Sequence, residues 1–150
     1  MGETKIVIDL NSYKSECEEH QKLIVCQDYG KCKYIADNRY EKSVAQYIID
    51  GNVIKEGERC DFLLLNKTDL DVFFIEIKGS DIGKAIDQIA RTEEVLKDSI
   101  TGFETYYRIV YRTGTHDVNS SKVVNWKKKC GKIKNRDKAK ISHMRMEEML

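Results

Sequence analysis

Short runs of hydrophobic residues, separated by polar turns, make up much of the first third of the chain. Residues 23–26 and 33–36 flank the segment Asp28-Tyr-Gly-Lys, a pattern that predicts a β-hairpin with glycine in its turn. The apolar positions at 40, 44, 47 and 48 then follow helical spacing, and Asp37-Asn38 before them can cap a helix. We therefore predict a first helix that begins near Arg39 and ends at residues 50–52.

The middle of the chain contains the two clearest strand signals. Residues 60–65 and 72–77 are short apolar runs rich in Phe, Ile, Leu and Val, and the polar residues 66–71 lie between them. A brief strand is also predicted at residues 53–55. The two long runs together predict an antiparallel hairpin.

The period of the apolar residues becomes helical over residues 81–99, and Ser80 or Asp81 is the expected N-cap of this second helix. Residues 103–111 form the next predicted strand. Residues 138–144 predict either a last strand or the start of a helix. The order of strands, helix, three strands, helix and strand predicts an α/β fold with an antiparallel hairpin at its centre.

Length and composition narrow the class of protein. A chain of 150 residues fits a single domain. Charged residues make up 34%, and no apolar run approaches 18 residues, so the sequence predicts no membrane-spanning helix and no membrane partner. Five cysteines without a Cys-x-x-Cys pair are typical of a reduced compartment, and we expect a cytoplasmic protein.

Charge is unevenly distributed. Residues 122–150 contain ten basic and three acidic side chains and carry +7, whereas the whole chain carries +1. Such asymmetry indicates a nucleic-acid partner or a solvated terminal face. If the partner is a nucleic acid, we expect Lys127, Lys128 and Lys129 to contact its phosphates. Trp126 beside them either stacks on a base or packs the terminal segment.

Asp61, Glu76 and Lys78 are the residues that indicate chemistry. A hairpin centred between Thr68 and Asp69 keeps one register for any symmetric loop, and in that register Asp61 faces Glu76 on the same side as Lys78. Opposed carboxylates repel, and a divalent cation relieves the repulsion. The set fits metal-assisted hydrolysis of a phosphodiester, although a solvated strand face with a Glu–Lys pair is the simpler alternative.

Asp61, separated by 14 residues from Glu76-Ile77-Lys78, resembles the motif of the PD-(D/E)XK nuclease superfamily. The resemblance covers residues 39–111, and Cys60 stands where the name motif has proline. It implies an α/β fold of the restriction-endonuclease-like type, in which helices flank a mixed β-sheet. The N-terminal hairpin and the basic segment 122–150 would be additions to this core within one domain, residues 1–150.

The resemblance also implies roles for individual residues. Asp61 and Glu76 would ligate Mg²⁺, for which Mn²⁺ substitutes, and the carbonyl group of Ile77 would complete the metal site. Lys78 would act on the attacking water. Two further residues match accessory positions of the family, Glu41 in the first predicted helix and Gln88 in the second.

The function expected from these residues is that of a metal-dependent endonuclease, with DNA favoured over RNA as substrate. One alternative is a non-catalytic module that binds nucleic acid or another partner with the same fold. Another alternative is a phosphodiesterase that acts on small nucleotides. Because the chain is short, a homodimer would supply the second active site that cleavage of both strands of a duplex requires.

Overall fold

The computed structural model describes residues 7–28, 30–78, 80–113 and 117–150. The strands and α-helices are β1 (Leu23–Gln27), β2 (Lys33–Asp37), β3 (Val44–Ile48), β4 (Phe62–Asn66), β5 (Asp71–Lys78), α1 (Ile82–Leu96), β6 (Glu104–Tyr111), α2 (Ser121–Cys130), β7 (Lys132–Ile133), β8 (Arg136–Asp137), β9 (Ala139–His143) and β10 (Arg145–Met149). Short 3₁₀ helices span Leu10–Ser12 and Asp117–Asn119.

The architecture is mixed α/β in three layers. The central sheet has the order β3-β4-β5-β6-β9, with its first three strands antiparallel and its last three parallel. Leu63 and Phe74 pack with Ile89 of α1 on one face, whereas Leu64 and Phe73 pack with residues of the three-stranded sheet β1-β2-β10 on the other. Burial on both faces explains why β4 and β5 are nearly continuous apolar runs.

The central hairpin has the predicted register. Leu65 pairs with Val72 and Phe62 pairs with Ile75, so Asp61, one residue before β4, continues the same register toward Glu76. The hairpin of β1 and β2 is also confirmed, although Tyr29 in its turn lies outside the described residues.

Helix α1 is confirmed as well. The side chain of Asp81 is the N-cap and accepts a hydrogen bond from the backbone N–H of Lys84 at 3.0 Å.

The prediction of a first helix from Arg39 is wrong, because strand β3 occupies Val44–Ile48. Residues 44–47 are all buried, so both faces of this edge strand are covered and the alternation that identifies a strand is lost. Asn38 does not cap a helix. Its buried side chain accepts a hydrogen bond from the backbone N–H of Lys42 and donates to the carbonyls of Gln21 and Lys42, which turns the chain into β3.

At residues 53–55 the predicted strand is also wrong, because only an isolated bridge joins Asp50 to Ile54.

The basic C-terminal segment contributes one strand to the central sheet and one to the three-stranded sheet. Strand β9 pairs in parallel with β6 and extends the central sheet beyond the predicted core, and β10 pairs in parallel with β2. Arg108 on β6 is buried and forms an ion pair at 2.7 Å with Glu148 on β10, whose side chain is only 8% exposed. The Tyr34 hydroxyl donates a second hydrogen bond to Glu148, so the network joins the two sheets.

Candidate active site

Asp61 and Glu76 meet where β4 begins and β5 ends, on the face of the central sheet that α1 covers. The Asp61 carboxylate accepts a hydrogen bond from the backbone N–H of Ile77 at 2.8 Å. The two carboxyl groups are close enough to share a hydrogen bond, which forms when one of them is protonated. Glu76 is only 1% exposed, and among the described residues its Oε2 atom has no hydrogen-bond partner.

The electrostatics of this pair follow from burial. Desolvation and, after it, the neighbouring Asp61 carboxyl group raise the pKa of Glu76 far above its usual range, to about 10, while the Lys78 ammonium opposes the shift. Burial also raises the pKa of Asp61, although the hydrogen bonds from Glu76 and from Ile77 lower it in part. The protein thus holds a carboxyl pair that favours bound protons, or another source of positive charge, over two bare anions.

Lys78, two residues after Glu76 on β5, shares its face of the central sheet, and Gln88 of α1 contacts it. The Lys78 ammonium donates to the amide oxygen of Gln88 at 3.1 Å, and the Gln88 amide nitrogen donates to the Arg59 carbonyl at 3.2 Å. Helix α1 therefore fixes the end of the lysine side chain on the same face of the sheet as Asp61 and Glu76.

Thr92, one turn after Gln88 on α1, is a positioning residue that sequence reasoning missed. Its hydroxyl accepts from the Cys60 backbone N–H and donates to the Gln88 carbonyl, both at 2.8 Å, and the residue is fully buried. Gln88 and Thr92 together hold residues 59 and 60, which immediately precede Asp61. A polar residue four positions from Gln88, within an otherwise apolar helix face, was the available sequence signal.

We expect Thr92→Val to lower the free energy of unfolding by about 1–3 kcal/mol, because the buried Cys60 N–H loses its acceptor. Thr92→Ser keeps the hydroxyl and is the matched control. Urea denaturation measures both variants. If Thr92→Val is as stable as Thr92→Ser, the contact does not hold the segment that positions Asp61.

An open cavity of about 490 Å³ adjoins Asp61. Gln27 and Asp28 at the end of β1, Ile48 of β3, Asp50 and Phe62 line it together with Asp61. Asp50 ion-pairs with Arg59 at 2.7 Å, and both Asp28 and Asp50 raise the pKa of Asp61. The approach to the site is therefore electronegative. Asp50 was not predicted as a site residue, because its position was assigned to the end of a helix.

Glu41, proposed as a catalytic residue, lies away from Asp61 and Glu76. It precedes β3, whose first residue, Val44, pairs with Asn66, whereas Ile48 at the other end pairs with Phe62 next to Asp61. At about 3.3 Å per residue, the length of β3 alone separates the two ends by roughly 13 Å. Glu41 is an exposed turn residue with a φ of 52°, because the helix expected to carry it does not form.

Lys127, Lys128 and Lys129 form the exposed last turn of α2, which contacts β9 and α1. The structure does not bring them to Asp61 and Glu76, which lie across α1. Lysine side chains at the C-terminus of a helix also interact favourably with its dipole.

The site offers a metal ion two carboxylate groups, those of Asp61 and Glu76. Within residues 7–28, 30–78, 80–113 and 117–150, no group of three or more His, Cys, Asp or Glu side chains could hold a metal ion. Two carboxylates nevertheless suit Mg²⁺, which keeps several waters and often takes one or two carboxylates plus phosphate oxygens. The buried Oε2 of Glu76, which no described residue satisfies, fits a cation ligand. The donor set therefore fits the metal that the family resemblance implies.

Comparison with known proteins gave no relatives: no protein-family model, no curated protein and no solved structure matches this chain.

Proposed function

We propose that the protein is a metal-dependent nuclease that hydrolyses phosphodiester bonds, with Asp61, Glu76 and Lys78 at its active site. The observation that carries the proposal is the buried Glu76 carboxyl group, which faces Asp61 and whose Oε2 atom has no hydrogen-bond partner among the described residues. Two opposed, buried carboxylates destabilise the fold unless a bound positive charge compensates their repulsion. Lys78 supplies the cationic group that a phosphate substrate requires.

The connectivity of the central sheet supports the restriction-endonuclease-like assignment. Antiparallel β3, β4 and β5 are followed by α1 and by β6 parallel to β5, so the sheet is mixed and flanked by a helix, as the family resemblance implies. One departure is that no α-helix precedes β3 in the described part of the chain. Strands β1, β2 and β10 extend this core.

Asp61, Glu76 and the carbonyl group of Ile77 would hold Mg²⁺ or Mn²⁺. A bound divalent cation supplies a more acidic water and stabilises negative charge on the phosphate. The Ile77 N–H orients the Asp61 carboxylate, and burial restricts the position of the Glu76 side chain. The Lys78 ammonium orients the attacking water or donates to a phosphate oxygen, and Gln88 holds that ammonium in place.

Several sequence-based expectations stay predictions, namely DNA as substrate, homodimerisation and a cytoplasmic location. All five cysteines are free thiols and four of them are buried, in keeping with a reduced compartment. Of the helices in the described segments, none has the length and apolar character needed to cross a membrane.

The direct test is incubation of the purified protein with plasmid DNA, single-stranded DNA and RNA, each with Mg²⁺ and with Mn²⁺. We expect cleavage of at least one polymer by the wild type and by Glu41→Gln, which alters a carboxylate far from the site. Asp61→Asn should show none, because it removes a ligand charge at nearly constant shape.

Two outcomes would count against the nuclease proposal. If Asp61→Asn cleaves as fast as the wild type, the activity does not come from this site. If the wild type hydrolyses small cyclic or linear nucleotides and leaves polymers intact, the protein is the phosphodiesterase considered above.

A further inference from the structure

A second concave surface lies between α1 and α2, on the flank of α1 that faces away from Gln88. It is a cavity of about 350 Å³, within the size range of ligand sites. Its apolar part consists of Ile86, Ile89 and Ala90 on α1 and the aromatic rings of Tyr107 and Trp126. Trp126 is half-buried, and its ring centroid lies 6.1 Å from that of Tyr107. The packing interpretation of Trp126 is therefore correct, and the same ring also lines an open cavity.

Polar groups stand around this aromatic floor. The Tyr107 hydroxyl donates to the Glu93 carboxylate at 2.7 Å, which anchors the tyrosine ring. Lys129 and Lys138 also line the cavity, and the Lys138 ammonium lies 5.7 Å from the centroid of the Tyr107 ring. An apolar slot with two ammonium groups at its border suits a planar aromatic group that is attached to a negative charge.

A basic depression of about 400 Å³ lies on the other side of the C-terminal turn of α2. Four lysines and a single acid line it. The lysines are Lys127, Lys128, Lys132 and Lys140, and the acid is Asp137. Lys140 also ion-pairs with Glu148 at 3.5 Å. This surface runs along β9, the last strand of the central sheet, and suits a row of phosphates.

The two concave surfaces are neighbours, since residues that are adjacent in the sequence line one surface and the other. Lys128 lines the basic depression and Lys129 the aromatic cavity, and Asp137 and Lys138 are divided in the same way. A positively charged groove next to an aromatic platform is the combination that binds single-stranded nucleic acid.

We propose that this surface binds a single strand of nucleic acid, with one base against Trp126 and neighbouring phosphates on Lys127, Lys128, Lys132 and Lys140. A single strand fits better than a duplex, because a base must leave its stack to enter a cavity. The inference rests on the proposed function only in the class of polymer bound. The surface is separate from Asp61 and Glu76 and would hold substrate outside the reacting centre.

Trp126 is the only tryptophan in the chain, so its intrinsic fluorescence reports on this cavity alone. The probe is single-stranded oligo-dT of 15 nucleotides, titrated in EDTA so that no cleavage occurs. We expect saturable quenching of Trp126 and binding at least tenfold tighter than that of a duplex of equal length.

Variants test the two halves of the surface by anisotropy of a labelled oligo-dT. Trp126→Leu should weaken binding by about 5- to 150-fold, whereas Trp126→Phe, which keeps a ring, should lose much less. Replacing Lys127 and Lys128 with Gln should flatten the dependence of log K on log salt by up to about 1.4. Lys67→Gln, an exposed lysine in the β4–β5 turn, is the matched control and should change neither quantity.

Equal or tighter binding of the duplex would overturn the proposal. So would anisotropy that reports binding while the fluorescence of Trp126 stays constant, a reading that needs only the wild-type protein and stands even where Trp126→Leu fails to fold. Because the assay contains no metal and no cleavage step, its failure leaves the Asp61→Asn result intact. Loss of nuclease activity likewise leaves this binding measurement unaffected.

Discussion

Replacing Glu76 with Gln is expected to raise the free energy of unfolding by about 3 kcal/mol at pH 7 while it eliminates cleavage. In the native protein burial and Asp61 raise the pKa of Glu76 from 4.5 to about 10, so the folded state retains a proton that the unfolded chain has released. A glutamine carries no such cost and can still donate to Asp61. For a chain of this length the midpoint of thermal unfolding should rise by roughly 6–12 °C.

The contribution of Glu76 to the free energy of unfolding depends on pH, and the direction of that dependence follows from its raised pKa. Because the folded-state pKa of Glu76 is raised, its contribution is fully favourable below about pH 4.5 and is lost as the pH rises toward 10. Thermal unfolding of the wild type in EDTA should therefore show stability that falls across this window, and Glu76→Gln should show a flatter profile. A variant less stable than the wild type at pH 7 would contradict the assignment of a buried, protonated Glu76.

Magnesium supplies the matching control, because a ligand that binds only the native state stabilises it by mass action. Wild-type protein should gain thermal stability on addition of Mg²⁺, and Glu76→Gln should gain little. An equal gain in both proteins would place the bound ion elsewhere.

Lys78→Ala should lower kcat by about 100- to 10,000-fold, the range that a positioned proton-transfer or charge-stabilising group contributes. The Lys78 ammonium lies on the same face as the two acids and is held by the Gln88 amide oxygen. Its loss leaves the carboxylates without their cationic neighbour at the moment when negative charge develops on the phosphate. The measurement is the cleavage rate at saturating substrate and saturating Mg²⁺.

Gln88→Ala should have a smaller effect than Lys78→Ala, because it removes the support of the ammonium and leaves the ammonium itself. Lys84→Ala, an exposed lysine in the first turn of α1, is the matched control and should cleave at the wild-type rate. If Lys78→Ala retains more than a third of the wild-type kcat, Lys78 does not act in the reaction.

The pairing of Asp61 with Glu76 could be predicted from the sequence because hairpin register is local. The polar turn between β4 and β5 sets the register, and the apolar runs on either side leave few alternatives. Helix α1 was equally accessible, since its apolar stripe and the Asp81 cap lie within one continuous segment.

The other features of the fold and of the site depend on packing against distant parts of the chain, so local sequence patterns did not predict them. Strand β3 lost its alternating pattern because the helical layer covers one of its faces and the three-stranded sheet the other. The contact of Thr92 with Cys60 joins residues 32 positions apart, so the polar position on α1 could be seen in the sequence but its partner could not. Glu41 was misplaced for the same reason, since its assignment depended on a helix that tertiary packing replaces with a strand.

The parallel pairing of β2 with β10 has a consequence for the order of folding during synthesis. Strand β10 follows β2 by more than a hundred residues, and until it leaves the ribosome the β1–β2 hairpin lacks its third strand. Arg108, buried on β6, also lacks its carboxylate partner until Glu148 arrives. Pairing at such separation is slow because closure of a long loop must precede it. The nascent chain therefore leaves β2 without its parallel partner until residues 145–149 are made, and this interval is when it most needs protection from aggregation.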